Sequence, residues 1–146
     1  MPLVSRESSQ GIISIIGSER SSGAEDRKSL PYTNAVIHEV QRFGNVVPMN
    51  IMHSTTADVN FKGYFIPKDT PVIPLLTSVL FDKTQWENQR AFNPSNFLDA
   101  DWKFVKRDAF APFSMGRRAC AGETLARVEL FLFFTTLIRK QSMVSP

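Results

Sequence analysis

The chain has 146 residues, a length suited to one domain. Hydrophobic residues make up 42% of it, enough for a core, and 12 phenylalanines against 2 tyrosines favour large apolar contacts with few polar tips. A net charge of +3, from 17 basic and 14 acidic residues, is too mild to argue for nucleic acid. No run of ~18 apolar residues exists to span a bilayer, and MPLVSRESSQ at the start lacks the apolar stretch of a signal peptide.

Residues 1–29 combine a short apolar patch, GIISII (11–16), with a polar run, GSERSSGAEDRKS. They read as a fragment of helix or strand followed by a solvated loop. LPYTNAVIHEVQRF (30–43) reads as a helix, with Pro31 in its first turn, Val36, Val40 and Phe43 at helical spacing, and Gly44 as its stop. Residues 46–77 read as extended. Val59, Phe61, Tyr64 and Ile66 flank a Lys62-Gly63 turn, Pro67-Lys68-Asp69 marks another, and Pro71 and Pro74 imply an edge strand. SVLFDKTQWEN looks like a short helix that leads into a long winding segment to residue 112. From Ala121 to about Lys140 the pattern is helical again. Its phenylalanines at 131–134 are most simply core, and Arg139 and Lys140 are favourable at its C-terminus.

The single cysteine, Cys120, lies in FSMGRRACAG (113–122). One cysteine forms no internal disulfide, so the thiol is inert or chemical. A buried small core residue is its bland reading. Just ahead of the last helix, free N–H groups, the helix dipole and the neighbouring Arg117 and Arg118 favour thiolate, which is a nucleophile or soft metal ligand. Nucleophilic catalysis needs a base in reach, and no motif pairs His38 or His53 with the cysteine. One Cys and two His at no recognisable spacing make a poor zinc site. Gly116 and Gly122 allow close backbone approach to a flat ligand, or conformations other residues avoid. A thiolate below haem iron fits these features.

Phe113, Gly116, Arg118, Cys120 and Gly122 form F-x-x-G-x-R-x-C-x-G. This resembles the haem-ligand signature of the cytochrome P-450 monooxygenases. Five specified positions arise by chance in only a few per hundred thousand chains of this length, at about one in twenty each. Glu39 and Arg42 supply the E-x-x-R that resembles the family's helix before the haem, although alone they read as an ordinary i,i+3 pair. FNPSNFLDADWKFVKRDAFAPF resembles the winding segment upstream of the cysteine. LPYTNAVIHEVQRF and GRRACAGETLARVELFLFF look most like the vertebrate microsomal family-2 enzymes. The resemblance covers roughly residues 15–140.

The resemblance implies a mainly α fold with a small β-sheet (α+β), the C-terminal proximal portion of the family fold, with residues 30–146 as the haem-binding part. It implies Cys120 as iron ligand, Phe113 packed on the sulfur, and Arg118 and His53 on the haem propionates. Glu39 and Arg42 would form a structural ion pair. Val47 to Met52 would line the substrate pocket, and Lys106, Arg117 and Arg127 would form a basic face for an NADPH-dependent flavoprotein reductase. The intact enzymes act on lipophilic small molecules with O2 at the endoplasmic reticulum membrane. The chain departs from the pattern in several places. No acidic residue followed by threonine precedes the E-x-x-R helix, and neither the membrane anchor nor the C-terminal hairpin is present. Asn96 stands where Arg or His usually joins the Glu–Arg pair, and Asp69 replaces a turn glycine. The chain therefore reads as the C-terminal portion of a monooxygenase. Its rivals are a catalytically inactive haem-binding module and a non-haem relic or interaction fragment.

Overall fold

The computed structural model describes residues 2–17 and 20–144. Among the described residues four α-helices frame the chain: α1 (Pro2–Ile16), α2 (Pro31–Gly44), α3 (Leu76–Leu80) and α4 (Glu123–Val144). Four short strands, β1 (His53–Ser54), β2 (Val59–Phe61), β3 (Tyr64–Ile66) and β4 (Pro71–Val72), pair as two antiparallel ribbons, β1 with β4 and β2 with β3. The architecture is the expected helix-rich α+β arrangement.

Of the two alternatives for GIISII, the helix holds, and it begins nine residues earlier, at Pro2. Ile12 and Ile16 recur one turn apart and bury completely or nearly so against Leu30, Ile37, Phe131 and Ile138. Helices α1, α2 and α4 thus share one core. Residues 18 and 19 of the polar run after α1 lie outside the described residues, and from Arg20 on the run is more ordered than a solvated loop. Asp26 accepts from both terminal nitrogens of Arg20 and from the Gly23 N–H, and a 3-10 turn spans Ala24–Ser29. These donors, Arg20 first and Gly23 next, lower the Asp26 pKa to about 2.

Pro31 opens α2, and Asn45 closes it at φ 40°, the left-handed conformation asparagine tolerates better than most residues. The stop is therefore Asn45, and Gly44 is the last helical residue. The expected apolar face of α2 is corrected. Val36 is buried, but Val40 and Phe43 are exposed, while Thr33, Asn34, His38, Glu39 and Arg42 face inward. The α2 side packs on a second core of Ala35, Trp86, Phe97 and Leu98, with Phe104 and Phe110 against it.

In the β2–β3 hairpin, Val59 faces Ile66 and Phe61 faces Tyr64. Lys62 (φ 49°) and Gly63 (φ 86°) make the two-residue turn, whose twist suits a right-handed ribbon. Pro71 lies in β4, which has a partner on one side alone, so its missing N–H costs no ladder bond there. The helix expected in SVLFDKTQWEN is shorter and earlier. It ends at Leu80, and Asp82 then caps a turn by accepting from the Thr84 N–H and hydroxyl. Helix α4 runs beyond Lys140, so Arg139 and Lys140 lie outside its last turn, and Arg139 instead donates to the Arg20 carbonyl at 2.6 Å. Phe131 is core, whereas Phe133 faces outward.

Candidate functional site

Glu39 and Arg42 lie one turn apart on α2 and are both fully buried. Burying two charges is unfavourable unless every lone pair and proton finds a partner. Arg42 meets that condition with all five of its N–H donors. Nε and Nη2 bond the Glu39 carboxylate at 2.8 and 2.7 Å. Nη1 donates to the carbonyls of Leu80 and Gln89, and Nη2 also donates to that of Ala91. The guanidinium also lies 5.2 Å from the Trp86 ring centre and 5.3 Å from that of Phe81. Glu39 Oε1 takes a further bond from the Asn93 N–H at 2.8 Å. The Asn96 amide approaches the carboxylate at only 3.4 and 3.5 Å, so its contact is weak. Two side chains thereby tie α2 to the end of α3 and to the winding segment at four backbone points, far more than an i,i+3 surface pair does.

The cysteine loop is built differently. The Cys120 N–H donates to the Phe113 carbonyl at 2.9 Å and closes the loop, and the Cys120 carbonyl accepts from Glu123 N–H at the start of α4. Inside it the backbone turns twice into the left-handed region, at Ser114 (φ 67°) and Gly116 (φ 75°), before a 3-10 turn over Gly116–Arg118. Glycine adopts that conformation without a Cβ penalty. Gly122 has a different use. A Cβ there would stand 3.8 Å from the Cys120 sulfur, so glycine leaves that side of the thiol clear. Cys120, Met115, Arg117 and Arg118 are all exposed, which corrects the buried-core reading of the cysteine.

The loop is braced from two sides. Asn50 Nδ2 donates to Ser114 Oγ at 2.9 Å, joining the 46–52 segment to it. Arg127, one turn into α4, pairs with Glu123 at 2.5 Å and lies 6.0 Å from the Phe113 ring centre and 5.6 Å from that of Phe110. Its Nη1 also donates to His38 Nε2 at 3.2 Å. Arginine has only donors, so Nε2 accepts, and Nδ1–H donates to the Asn34 carbonyl at 2.7 Å. His38 is thus a neutral imidazole among Phe97, Phe104 and Phe110. Burial is the main cause that lowers its pKa to about 4, and the charges of Arg127 and Arg27 push the same way. Beside Glu39 in sequence and bonded to Arg127 in space, it connects the ion-pair region with the cysteine loop. Sequence reasoning missed this link, because 89 residues separate its partners.

Of the residues the sequence singles out, Phe113, Gly116, Arg118, Cys120 and Gly122 lie together on this one loop, with Arg117 among them and Arg127 packed over Phe113. Glu39 and Arg42 stand apart on α2. Lys106 is exposed on the winding segment. His53 begins β1 opposite Val72, half-buried. The loop's donor set fits a haem group: one outward thiol, a glycine beside it and an exposed arginine two residues before it.

The sequence matches the family described as Cytochrome P450 over residues 2–145. It is 58% identical over 139 residues to Cytochrome P450 2K1 of Oncorhynchus mykiss, covering 95% of this chain and 27% of that one. It is 53% identical over 145 residues to Cytochrome P450 2D20 of Mesocricetus auratus, covering 99% and 29%. Cytochrome P450 2K6 of Danio rerio is 59% identical over 115 residues, covering 79% and 23%. The chain therefore spans roughly a quarter of the length of these relatives. With the ion-pair helix and the cysteine loop on one scaffold, and a family match from residue 2 to residue 145, the chain belongs to the cytochrome P450 family.

Proposed function

We propose that this chain is the cysteine-ligand portion of a haem-thiolate monooxygenase, in which Cys120 supplies the axial sulfur to the haem iron. One observation carries the reading: the single thiol is held outward on a hydrogen-bonded loop, and Gly122 keeps the space beside its sulfur free of side chain. Haem, when bound, supplies the O2 chemistry by which the intact protein would place one oxygen atom in a lipophilic substrate. The chain's own residues hold and shield. Arg118 would take a propionate, for which a guanidinium is suited, and His53 would take the second. Phe113, fixed under Arg127, would limit water at the sulfur. Glu39 and Arg42 would keep α2 and the winding segment in place beneath the loop.

Electrons would come from an NADPH-dependent flavoprotein reductase with an acidic docking surface, steered by Lys106 and Arg117. Arg127 would contribute less to steering, because Glu123 already neutralises it. The intact protein would work at the cytosolic face of the endoplasmic reticulum membrane. Among the described residues, no helix is long and apolar enough to cross a membrane.

A second reading has its own observation. Leu125, Leu130, Phe133 and Leu137 are all exposed on α4, and Val46, Ile51 and Met52 on the segment before β1. Apolar surface of this extent suits a face that packs on further polypeptide, so this chain by itself would hold haem without oxygenating a substrate. Reconstitution with haem tests both readings. A thiolate-type spectrum of the reduced carbon monoxide complex, lost in Cys120→Ala, is expected. Turnover of a lipophilic substrate by the same sample would rule out the inactive module. Haem uptake and spectrum unchanged by Cys120→Ala would overturn ligation and leave the motif a relic.

A further inference from the structure

We propose that the groove between α1 and the Tyr32–Trp102 ring pair binds an alkylammonium cation, either a small quaternary amine or a lysine side chain presented by a polypeptide. The groove is open to solvent, has a volume of about 410 Å³ and is lined by Glu7, Gln10, Gly11, Ser14, Tyr32 and Trp102. It shares no residue with the cysteine loop or the ion pair.

Its aromatic wall is prearranged. Trp102 is 60% exposed, yet its backbone sits at φ 61°, a conformation that is costly for a large side chain. The short loop around it holds it there. Asp99 Oδ1 accepts from the N–H groups of Asp101 and Lys103, the Trp102 N–H donates to the Asp99 carbonyl, and the Asp99 N–H donates to that of Lys103. The indole is thereby set 6.2 Å from the Tyr32 ring, centre to centre, with 42° between the planes. Two tilted rings beside a carboxylate are the surroundings an organic cation prefers, because each ring face is the negative part of its quadrupole.

The polar groups of the lining select charge over neutral ligands. Glu7 is the one charged side chain among them. Burial, and then the Glu7 carboxylate, raise the Tyr32 pKa above the ordinary value, so its hydroxyl stays neutral. The Ser14 hydroxyl is turned back onto the Gly11 carbonyl at 3.0 Å. A cation needs only the carboxylate and the rings. The charges flanking Trp102 offset each other, Lys103 lying 3.7 Å from Asp101.

The test is a calorimetric titration of the full chain with choline chloride and with its neutral isostere 3,3-dimethylbutan-1-ol, at fixed ionic strength. Choline should saturate with affinity roughly tenfold above the isostere. Glu7→Gln and Trp102→Ala should each weaken it by roughly three- to tenfold, and Trp102→Phe by less. Trp102→Gly relieves the left-handed backbone, so it should fold at least as well as the parent and still lose binding. A parallel titration with a lysine-bearing peptide and its norleucine twin separates the sources. Tighter binding of the lysine peptide than of choline would assign a polypeptide, and the reverse would assign a small amine. Equal affinity for choline and the isostere, no saturable heat with choline or the lysine peptide, or affinity unchanged in both Trp102→Gly and Glu7→Gln would overturn the proposal.

Discussion

Two regions of this molecule carry family signatures and solve opposite problems. Around Glu39 and Arg42 every donor of a fully buried guanidinium is bonded inside the chain, and aromatic rings lie against the guanidinium. Around Cys120 the backbone is closed and braced, but the thiol and its two arginines look outward. The first region is complete without any further molecule. The second has its geometry settled and its chemistry unspent. The contrast teaches where mutations should register: the ion pair in stability, the loop in what it binds.

The largest expected effect tests the closed region. Arg42→Ala leaves a carboxylate fully buried without its cation and frees three backbone carbonyls, so it should destabilise by about 3–5 kcal/mol. Arg42→Lys should also destabilise substantially, since three donors on one ammonium cannot replace a five-donor fork. Urea unfolding followed by circular dichroism would measure both. A loss below about 1 kcal/mol for Arg42→Ala would break the comparison.

Next in size is a pH effect where the two regions meet. His38 has a folded pKa lowered to about 4 from 6.5, so the unfolded chain takes up its proton first as the medium acidifies. The contribution is fully present above pH 6.5 and is lost as pH falls toward about 4, amounting to about 3 kcal/mol. Arg127 and Arg27 are the charges that oppose its protonation. His38→Gln should flatten the stability profile across that window, while an unchanged slope would exclude His38 as its source.

A smaller effect belongs to the loop. An added Cβ at Gly116 meets nothing within 4 Å, so Gly116→Ala is penalised only through the left-handed backbone at φ 75°. A destabilisation of about 1 kcal/mol is expected, read as a fall in melting temperature.

These differences also explain what was legible in the sequence. The β2–β3 hairpin and the cysteine loop declare themselves locally, because Lys62-Gly63 and the Gly116 region depend on residues within a few positions. Helix α1 does not. Its RESSQ stretch has little apolar periodicity, and the helix is held by Ile12 and Ile16 packing on Phe131 and Ile138 more than a hundred positions away. The burial of α2 reads inverted, since apolar Val40 and Phe43 face out while Glu39 and Arg42 face in. Hydropathy cannot signal a charge pair that satisfies its own desolvation. The His38–Arg127 contact joins two segments through one hydrogen bond, with no spacing to betray it.

The smallest expected change in stability is the one that discriminates most. Cys120 is exposed, its sulfur fills no core, and only its backbone closes the loop, through N–H to Phe113 and carbonyl to Glu123. Cys120→Ser keeps that backbone and the side-chain size, so it should shift unfolding by no more than about 0.5 kcal/mol. The oxygen that replaces the sulfur is a far weaker donor to iron, so the thiolate-type spectrum of haem-reconstituted protein should vanish in the same sample. An unchanged fold with a lost spectrum would place the whole purpose of the loop in the ligand it presents. A large loss of stability would instead make the thiol part of the structure and remove the contrast with Arg42.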